Sequence, residues 1–248
     1  VCAVCNLNCA HGNWKNGVCG ICGLACGSTV PHNFDGNHTC SVCGFACGSS
    51  APHAWNKGTC AVCGLTCDHA KYTNGICTVC GDYQSAVQNG VGANGFALYE
   101  IHNAGQFYWF ALQFDLGGEE ICGELMADIV INPGTFAADG SYTPAAEEAL
   151  RLWQPIGGYG KMYKGTLNGN GHSISGLYVN MGSQQEVGLI GYLHYDGKVE
   201  RLGLINSYVS GGDHTGGVVG YADGDVIGCY NQGFVTGKYR TGGVVGNA

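Results

Sequence analysis

The sequence predicts a mostly β protein in two parts: a β-solenoid, preceded by an irregular string of small modules with little regular structure. Three observations carry this. An apolar phrase bounded by glycine returns as Gly188-Leu189-Ile190-Gly191, Gly217-Val218-Val219-Gly220 and Gly243-Val244-Val245-Gly246, at intervals of 29 and 26 residues. Fourteen of the 16 cysteines fall before Tyr83, with a histidine in the same place each time. Glycine is abundant at 45 of 248 residues and charged residues reach only 11%, which suits many tight turns between short strands.

The first part, residues 1–83, is a repeat of one ligand pattern. The copies are Cys9, His11, Cys19 and Cys22; Cys26, His32, Cys40 and Cys43; Cys47, His53, Cys60 and Cys63; and Cys67, His69, Cys77 and Cys80. Three thiols and one imidazole make a complete tetrahedral zinc shell, so four structural Zn²⁺ sites are expected. Cys2 and Cys5 form a Cys-x-x-Cys without partners upstream, as a truncated site would, and a further unit is expected before Val1.

Smaller features agree. The residue after each second knuckle cysteine is Asn6, Gly23, Gly44, Gly64 or Gly81, types that tolerate the positive φ a metal knuckle often needs. An aromatic follows each histidine within three residues, as Trp14, Phe34, Trp55 and Tyr72, and could pack over the metal. Three residues separate neighbouring shells, which holds them within roughly 13 Å along the chain. Disulfides would explain the cysteines and leave the histidines without a role, and so would an iron–sulfur cluster.

Charge excludes one class of partner. Residues 1–83 balance Lys15, Lys57 and Lys71 against Asp35, Asp68 and Asp82, leaving 7 basic and 15 acidic groups downstream and a net charge of −8. A shell of three thiolates adds a further negative charge per zinc. Nucleic acid is not expected, because phosphate binding needs Lys and Arg. No apolar run is long enough to span a membrane.

Residues 84–96 read as a linker and 97–164 as a capping region. Ala97 to His102 suits a strand. Asn103 is placed to cap a helix, with Gln106 in capping-box position and Phe107, Phe110, Ala111 and Phe114 on one face, ending at Gly117-Gly118. Leu125 to Asn132 alternates as one half-buried strand, with Leu125, Ala127, Ile129 and Ile131 facing one way and Met126, Asp128, Val130 and Asn132 the other. Thr143-Pro144 could open a short helix through Leu150. From residue 165 to 248 each coil is expected to hold three short strands with glycine at the corners. More coils, a cap or another subunit are expected after Ala248.

The Gly-Gly-Val-Val-Gly phrases resemble the GLUG motif of bacterial surface and secreted proteins. The preceding block, through Trp153-Gln154-Pro155-Ile156-Gly157 and Gly165 to Leu177, is similar to the segment that often introduces such repeats. The resemblance covers roughly Ala97 to Ala248. It implies a right-handed parallel β-helix on large extracellular proteins, including adhesins and some immunoglobulin-cleaving peptidases, whose catalysis belongs to a separate metalloprotease domain. No His-Glu-x-x-His occurs here, so that activity does not carry over. The Cys/His repeats also resemble units of large bacterial surface proteins.

The expectation is therefore a non-catalytic stalk or display segment of an extracellular or bacterial cell-surface protein. A host or cell-surface glycan or protein is the expected partner, together with self-association through the open β-helix end. The alternatives are a carbohydrate-active β-helix lyase or hydrolase, or a non-catalytic region of a secreted peptidase. Carbohydrate chemistry needs carboxylates on one face. The candidates are Asp196, Asp213 beside His214, Asp223 and Asp225, but each adjoins glycine and reads as a turn. His172 reads as a corner residue, and His38, His102 and His194 have no catalytic company. Tyr178, Tyr192, Tyr195, Tyr221 and Tyr230 could line a groove or pack internally. Cys122 and Cys229 read as small apolar residues, with a disulfide as the alternative.

Overall fold

A computed structural model describes residues 69–145 and 149–248. Before these it describes Gly58, Cys67 and four two-residue strands, Trp14–Lys15, Val18–Cys19, Trp55–Asn56 and Thr59–Cys60. The chain divides into two units, residues 1–84 and 85–248.

The second unit is a β-solenoid in which each strand lies parallel on its counterpart one coil back. One row runs through Ala97–Ile101, Cys122–Leu125, Thr166–Asn168, Lys198–Glu200 and Asp225–Ile227, giving five rungs. A second runs through Ile129–Val130, Ser173–Ser175, Gly203–Ser210 and Tyr230–Thr236. A third stacks Asp213–Gly216 on Tyr239–Gly242, and a fourth runs through Ile190–Leu193, Val219–Ala222 and Val245–Asn247. A full coil thus carries four strands, where three were expected.

Register sets the core. Because side chains alternate across a strand, stacking in register puts like residues in columns. Leu167 lies on Val199, Ile174 on Leu204, Val179 on Val209 and Ile190 on Val219. All eight are buried. Each contributes roughly 1.5–3 kcal/mol by leaving water. In the last rung the columns continue through Val226, Val235 and Val245, which are half-buried.

The helix expected from Asn103 forms over Ala104–Asp115. The Asn103 side chain accepts the Gln106 N–H at 2.9 Å, and the Gln106 side chain reaches back to accept from the His102 N–H at 2.8 Å. Phe107, Phe110 and Phe114 are buried against the first coil, where Gly123 leaves room for the Phe110 ring. The Lys161 ammonium donates to the carbonyls of Phe114 and Asp115, neutralising the negative end of the helix. Trp153 completes this cap. It is 1% exposed, its ring stacks on Phe107 with centroids 4.6 Å apart, and its indole N–H donates to Leu189 O at 3.0 Å. Trp153→Ala is expected to lower stability by roughly 3–5 kcal/mol in denaturant titrations. Trp153→Phe keeps the stacking and should recover most of that loss.

Three expectations need correction. Residues 87–91, read as linker, form a strand paired antiparallel with Ala97–Ile101. The single strand over Leu125–Asn132 is two strands, Cys122–Leu125 and Ile129–Val130, on different rows, with a corner at Met126–Asp128. Asn132 points inward rather than out: it is 2% exposed, accepts the Arg151 N–H and donates to the carbonyls of Arg151 and Gly176. Thr143 and Pro144 do not open a helix. They end the strand Tyr142–Pro144, which pairs with Gly134–Phe136 in a hairpin. An edge strand tolerates proline because its missing N–H is not needed there. Residues 146–148 lie outside the described residues.

The corner at Asp128 is held electrostatically. Its carboxylate accepts the Ser173 N–H at 2.8 Å and the Ser173 hydroxyl at 3.2 Å, with His172 Nδ1 at 3.5 Å. The Ser173 backbone N–H, chiefly, holds the Asp128 carboxyl below the usual carboxylate range, with the Ser173 hydroxyl and His172 adding to it. A depressed folded-state pKa means that this stabilisation is complete above about pH 4 and lost as the pH falls through the folded value. Asp128→Ala should lower the melting temperature slightly at neutral pH, by little because the side chain is exposed, and converge with wild type below about pH 4, so that the acid limb flattens.

Candidate metal centre

The centre is built on a β-hairpin. Tyr72–Thr73 pairs with Ile76–Cys77, and the turn between them is Asn74-Gly75, with φ of 49° and 73°. Positive φ at both central residues is the tight-turn geometry that Asn-Gly favours, because its twist matches that of the strands. Tyr72 thereby lies opposite Cys77. Two earlier hairpins repeat the register, with Trp14 opposite Cys19 and Trp55 opposite Cys60. Sequence reading noticed these aromatics but missed the hairpins. Asn16-Gly17, Lys57-Gly58 and Asn74-Gly75 were the signal.

After Cys77 the chain turns at once. The Gly81 N–H donates to Cys77 O at 3.0 Å, and the Cys77 N–H donates to Asp82 O at 2.8 Å. Gly81 has φ of 79°, the left-handed conformation expected after a knuckle cysteine. Cys80 is brought beside Cys77 in this way. The other two residues arrive from the preceding loop. The Cys67 N–H donates to Gly58 O at 2.7 Å, and the His69 N–H donates to Cys67 Sγ at 3.4 Å. The first of these bonds recurs seventeen residues on, where the Gln84 N–H donates to Gly75 O at 2.7 Å. Gln84 stands where a further shell would place its first cysteine.

Cys67, His69, Cys77 and Cys80 come together, with their ligand atoms all within 4.8 Å of one another. Cys67 Sγ and Cys77 Sγ are 3.6 Å apart, and Cys80 Sγ is 3.7 Å from His69 Nδ1. A tetrahedron with Zn–S of about 2.3 Å and Zn–N of about 2.0 Å has edges of about 3.8 and 3.5 Å, which these two spacings approach, so the group could hold a metal ion such as zinc. None of the three thiols is paired with another, and 3.6 Å is far beyond a disulfide bond of about 2.05 Å. Cys67 and Cys77 are buried, while His69 and Cys80 are half-buried. The Tyr72 ring stacks on His69 at 6.3 Å and 17°.

Electrostatics in the cluster favour a cation. Burial pushes the Cys80 thiol up to about 12 and raises Cys67 as well. Burial acts in the same sense on Cys77, but hydrogen bonds from the Cys80 and Val79 backbone and from the neighbouring thiols leave it lowered. Three thiols so close do not ionise together unless positive charge is supplied between them.

Of the other three shells, only the backbones of Cys19 and Cys60 are described. Cys2, Cys5, Cys9, His11, Cys22, Cys26, His32, Cys40, Cys43, Cys47, His53 and Cys63 lie outside the described residues.

Acidic groups of the solenoid make contacts within and between coils, and four of them also line one cleft. Asp213 pairs with Arg240 at 2.8 Å, and Asp223 accepts the Tyr192 hydroxyl at 2.7 Å. Glu124 accepts from Asn168 at 3.2 Å, and Glu200 pairs with Lys198 at 3.4 Å. Three of these contacts run from one coil to another. Asp196, Glu124, Glu200 and Asp225 share a cleft of about 450 Å³ with Asn94, Lys198 and Tyr195. The five tyrosines do not form one groove. Tyr192 and Tyr221 pair on the fourth row, and Tyr178 stacks between Phe136 and Tyr208 beside the second. Tyr230 also lies on the second row, and Tyr195 sits in a turn. Cys122 is buried and donates to Asn94 Oδ1 at 3.1 Å, and Cys229 is half-buried. The two are not bonded to each other.

Two known proteins match parts of the chain. Halomucin of Haloquadratum walsbyi is 39% identical over 84 residues, which is 34% of this chain and 1% of halomucin. A Gly-rich membrane protein of Evansella cellulosilytica is 34% identical over 58 residues, 23% of this chain and 7% of that protein. The chain thus matches a small fraction of either relative's length. No family model matches it, and no solved structure does.

Proposed function

We propose that this chain is a non-catalytic structural or adhesive segment, a stalk or display region, of a large bacterial cell-surface or secreted protein, with four structural Zn²⁺ sites holding its first part. The observation that carries the reading is the Cys67, His69, Cys77 and Cys80 cluster. Its three-sulfur, one-nitrogen set is complete, so no position is left open for a substrate or a reactive water, as a catalytic zinc would need. The same pattern in sequence extends the reading to the other three shells. The names of both relatives are those of surface-type proteins, which supports the location.

Side-chain contacts in the solenoid support the non-catalytic part, while the cleft lined by Glu124, Asp196, Glu200 and Asp225 is where the lyase or hydrolase alternative would have to act. Asp213, Asp223, Glu124 and Glu200 are engaged in contacts that tie side chains of the solenoid together. Polysaccharide cleavage needs two carboxylates poised on either side of a bond. The GLUG resemblance of the Gly-Gly-Val-Val-Gly repeats agrees with a display scaffold. Partners in this reading are a host or cell-surface glycan or protein, or a second copy of the chain. Antibody raised against residues 85–248 is expected to label intact producing cells. Labelling that appears only after lysis would overturn the surface location.

A further inference from the structure

We infer that Asp82 is a positioning residue for the fourth metal centre, holding His69 through its outer ring nitrogen. The inference rests on the zinc reading and adds a difference among the four sites. His69 turns Nδ1 toward Cys80 Sγ at 3.7 Å, inside the ligand cluster. Its other nitrogen, Nε2, faces away and lies 3.8 Å from Asp82 Oδ2. When Nδ1 ligates a metal, Nε2 carries the ring proton, and that N–H is what an outer carboxylate accepts. The gap is an ion-pair separation, and a movement of about 1 Å brings it to a hydrogen bond.

Two features show that the carboxylate is placed rather than adrift. Asp82 belongs to the turn that presents the thiols, since its carbonyl accepts the Cys77 N–H at 2.8 Å. The space beside the pair is closed by Gly58, from the hairpin of the preceding module. A Cβ at Gly58 would lie 2.8 Å from His69 Nε2 and 3.0 Å from Asp82 Oδ2. Gly58 is buried, has φ of 72°, and holds Cys67 through its carbonyl. One module's turn therefore covers the outer contact of the next module's histidine. Both side chains remain about a third exposed, so Gly58 screens one side of the contact only.

In sequence, the equivalent position of the other modules holds no carboxylate. Two residues past the second knuckle cysteine they carry Leu24, Phe45 and Leu65, where the fourth carries Asp82. An outer carboxylate fixes the ring and raises its basicity, and losing such a partner weakens metal binding about 10- to 100-fold.

The test uses the full chain loaded with zinc, as wild type, Asp82→Leu and Asp82→Asn. Zinc release to a chromophoric chelator is followed alongside ¹⁵N NMR of the His69 ring. Asp82→Leu should release one zinc of the set about 10- to 100-fold more readily, with the rest unchanged and full occupancy regained at excess zinc. Asp82→Asn, which keeps an acceptor oxygen, should fall between. The wild-type ring should show a protonated Nε2 and a metal-bound Nδ1. Release from Asp82→Leu identical to wild type, or ligation through Nε2, would overturn the role of Asp82 while leaving the zinc site standing. A wild-type chain that takes up no zinc would overturn both.

Discussion

Removing metal with a strong chelator is expected to unfold residues 67–84 while the solenoid keeps its β circular-dichroism signal. The reason is the size of each interior. In the described part of the first unit the apolar interior is Cys67, Ile76 and Cys77, and its strands are two residues long. An isolated hairpin of that kind is marginal in water. A structural zinc contributes on the order of 10 kcal/mol, more than some twenty residues gain by burial. The solenoid has columns of buried Leu, Ile and Val in every full coil, and the one Cys/His cluster found among the described residues lies outside it. Hydrogen exchange locates the effect. The amides of Cys77, Thr78 and Gly81, bonded to Asp82, Lys71 and Cys77 carbonyls, should lose protection after chelation. Those of Ile190 and Val218, bonded coil to coil, should keep it. Loss of both signals together would refute the division of stabilising forces between metal and core.

Gly220→Val is expected to damage the solenoid severely. Gly220 closes the phrase Gly217-Val218-Val219-Gly220, where one coil's backbone meets the previous one. A Cβ there would lie 2.5 Å from Val187 N, 2.6 Å from Glu186 C and 2.8 Å from Gly191 O. These are backbone atoms and cannot rotate aside. Relief requires the coils to separate, which breaks pairing such as Ile190 with Val219. The expected loss is roughly 3 kcal/mol or more, at the upper end for overpacking. Gly243→Ala is the control, since a Cβ there meets nothing within 4 Å and should change stability by under about 0.5 kcal/mol. Urea titration of the tyrosine and tryptophan signal compares the two, and equal effects would show that backbone contact between coils is not what glycine provides.

One of the four expected shells lies among the described residues, and it was legible because ligand types recur in register: Cys67, His69, Cys77 and Cys80 do meet. Asp82 was not legible. A lone carboxylate after Gly81 acquires meaning only when the direction of the His69 ring is known. The solenoid was legible where its period is short, from Leu167 through Val199 to Val226. It was hidden upstream, because Gly123 stacks on Leu167 across 44 residues and the Gly134–Pro144 hairpin lies between. The corner at Met126–Asp128 escaped notice for a related reason. Leu125 and Ile129 both face inward on either side of it, so apolar alternation runs through the bend as if the strand were continuous. At Thr143-Pro144 a local helix-start signal lost to pairing with Gly134–Phe136, which sequence spacing does not reveal.

Metal content and thiol state, measured together on the intact chain under non-oxidising conditions, bear most directly on what replaces a hydrophobic interior in the first unit. Four zinc ions per chain by elemental mass spectrometry are expected, with every cysteine recovered as a thiol once the metal is removed. A chain free of zinc whose cysteines from Cys9 to Cys80 are joined in pairs would contradict it.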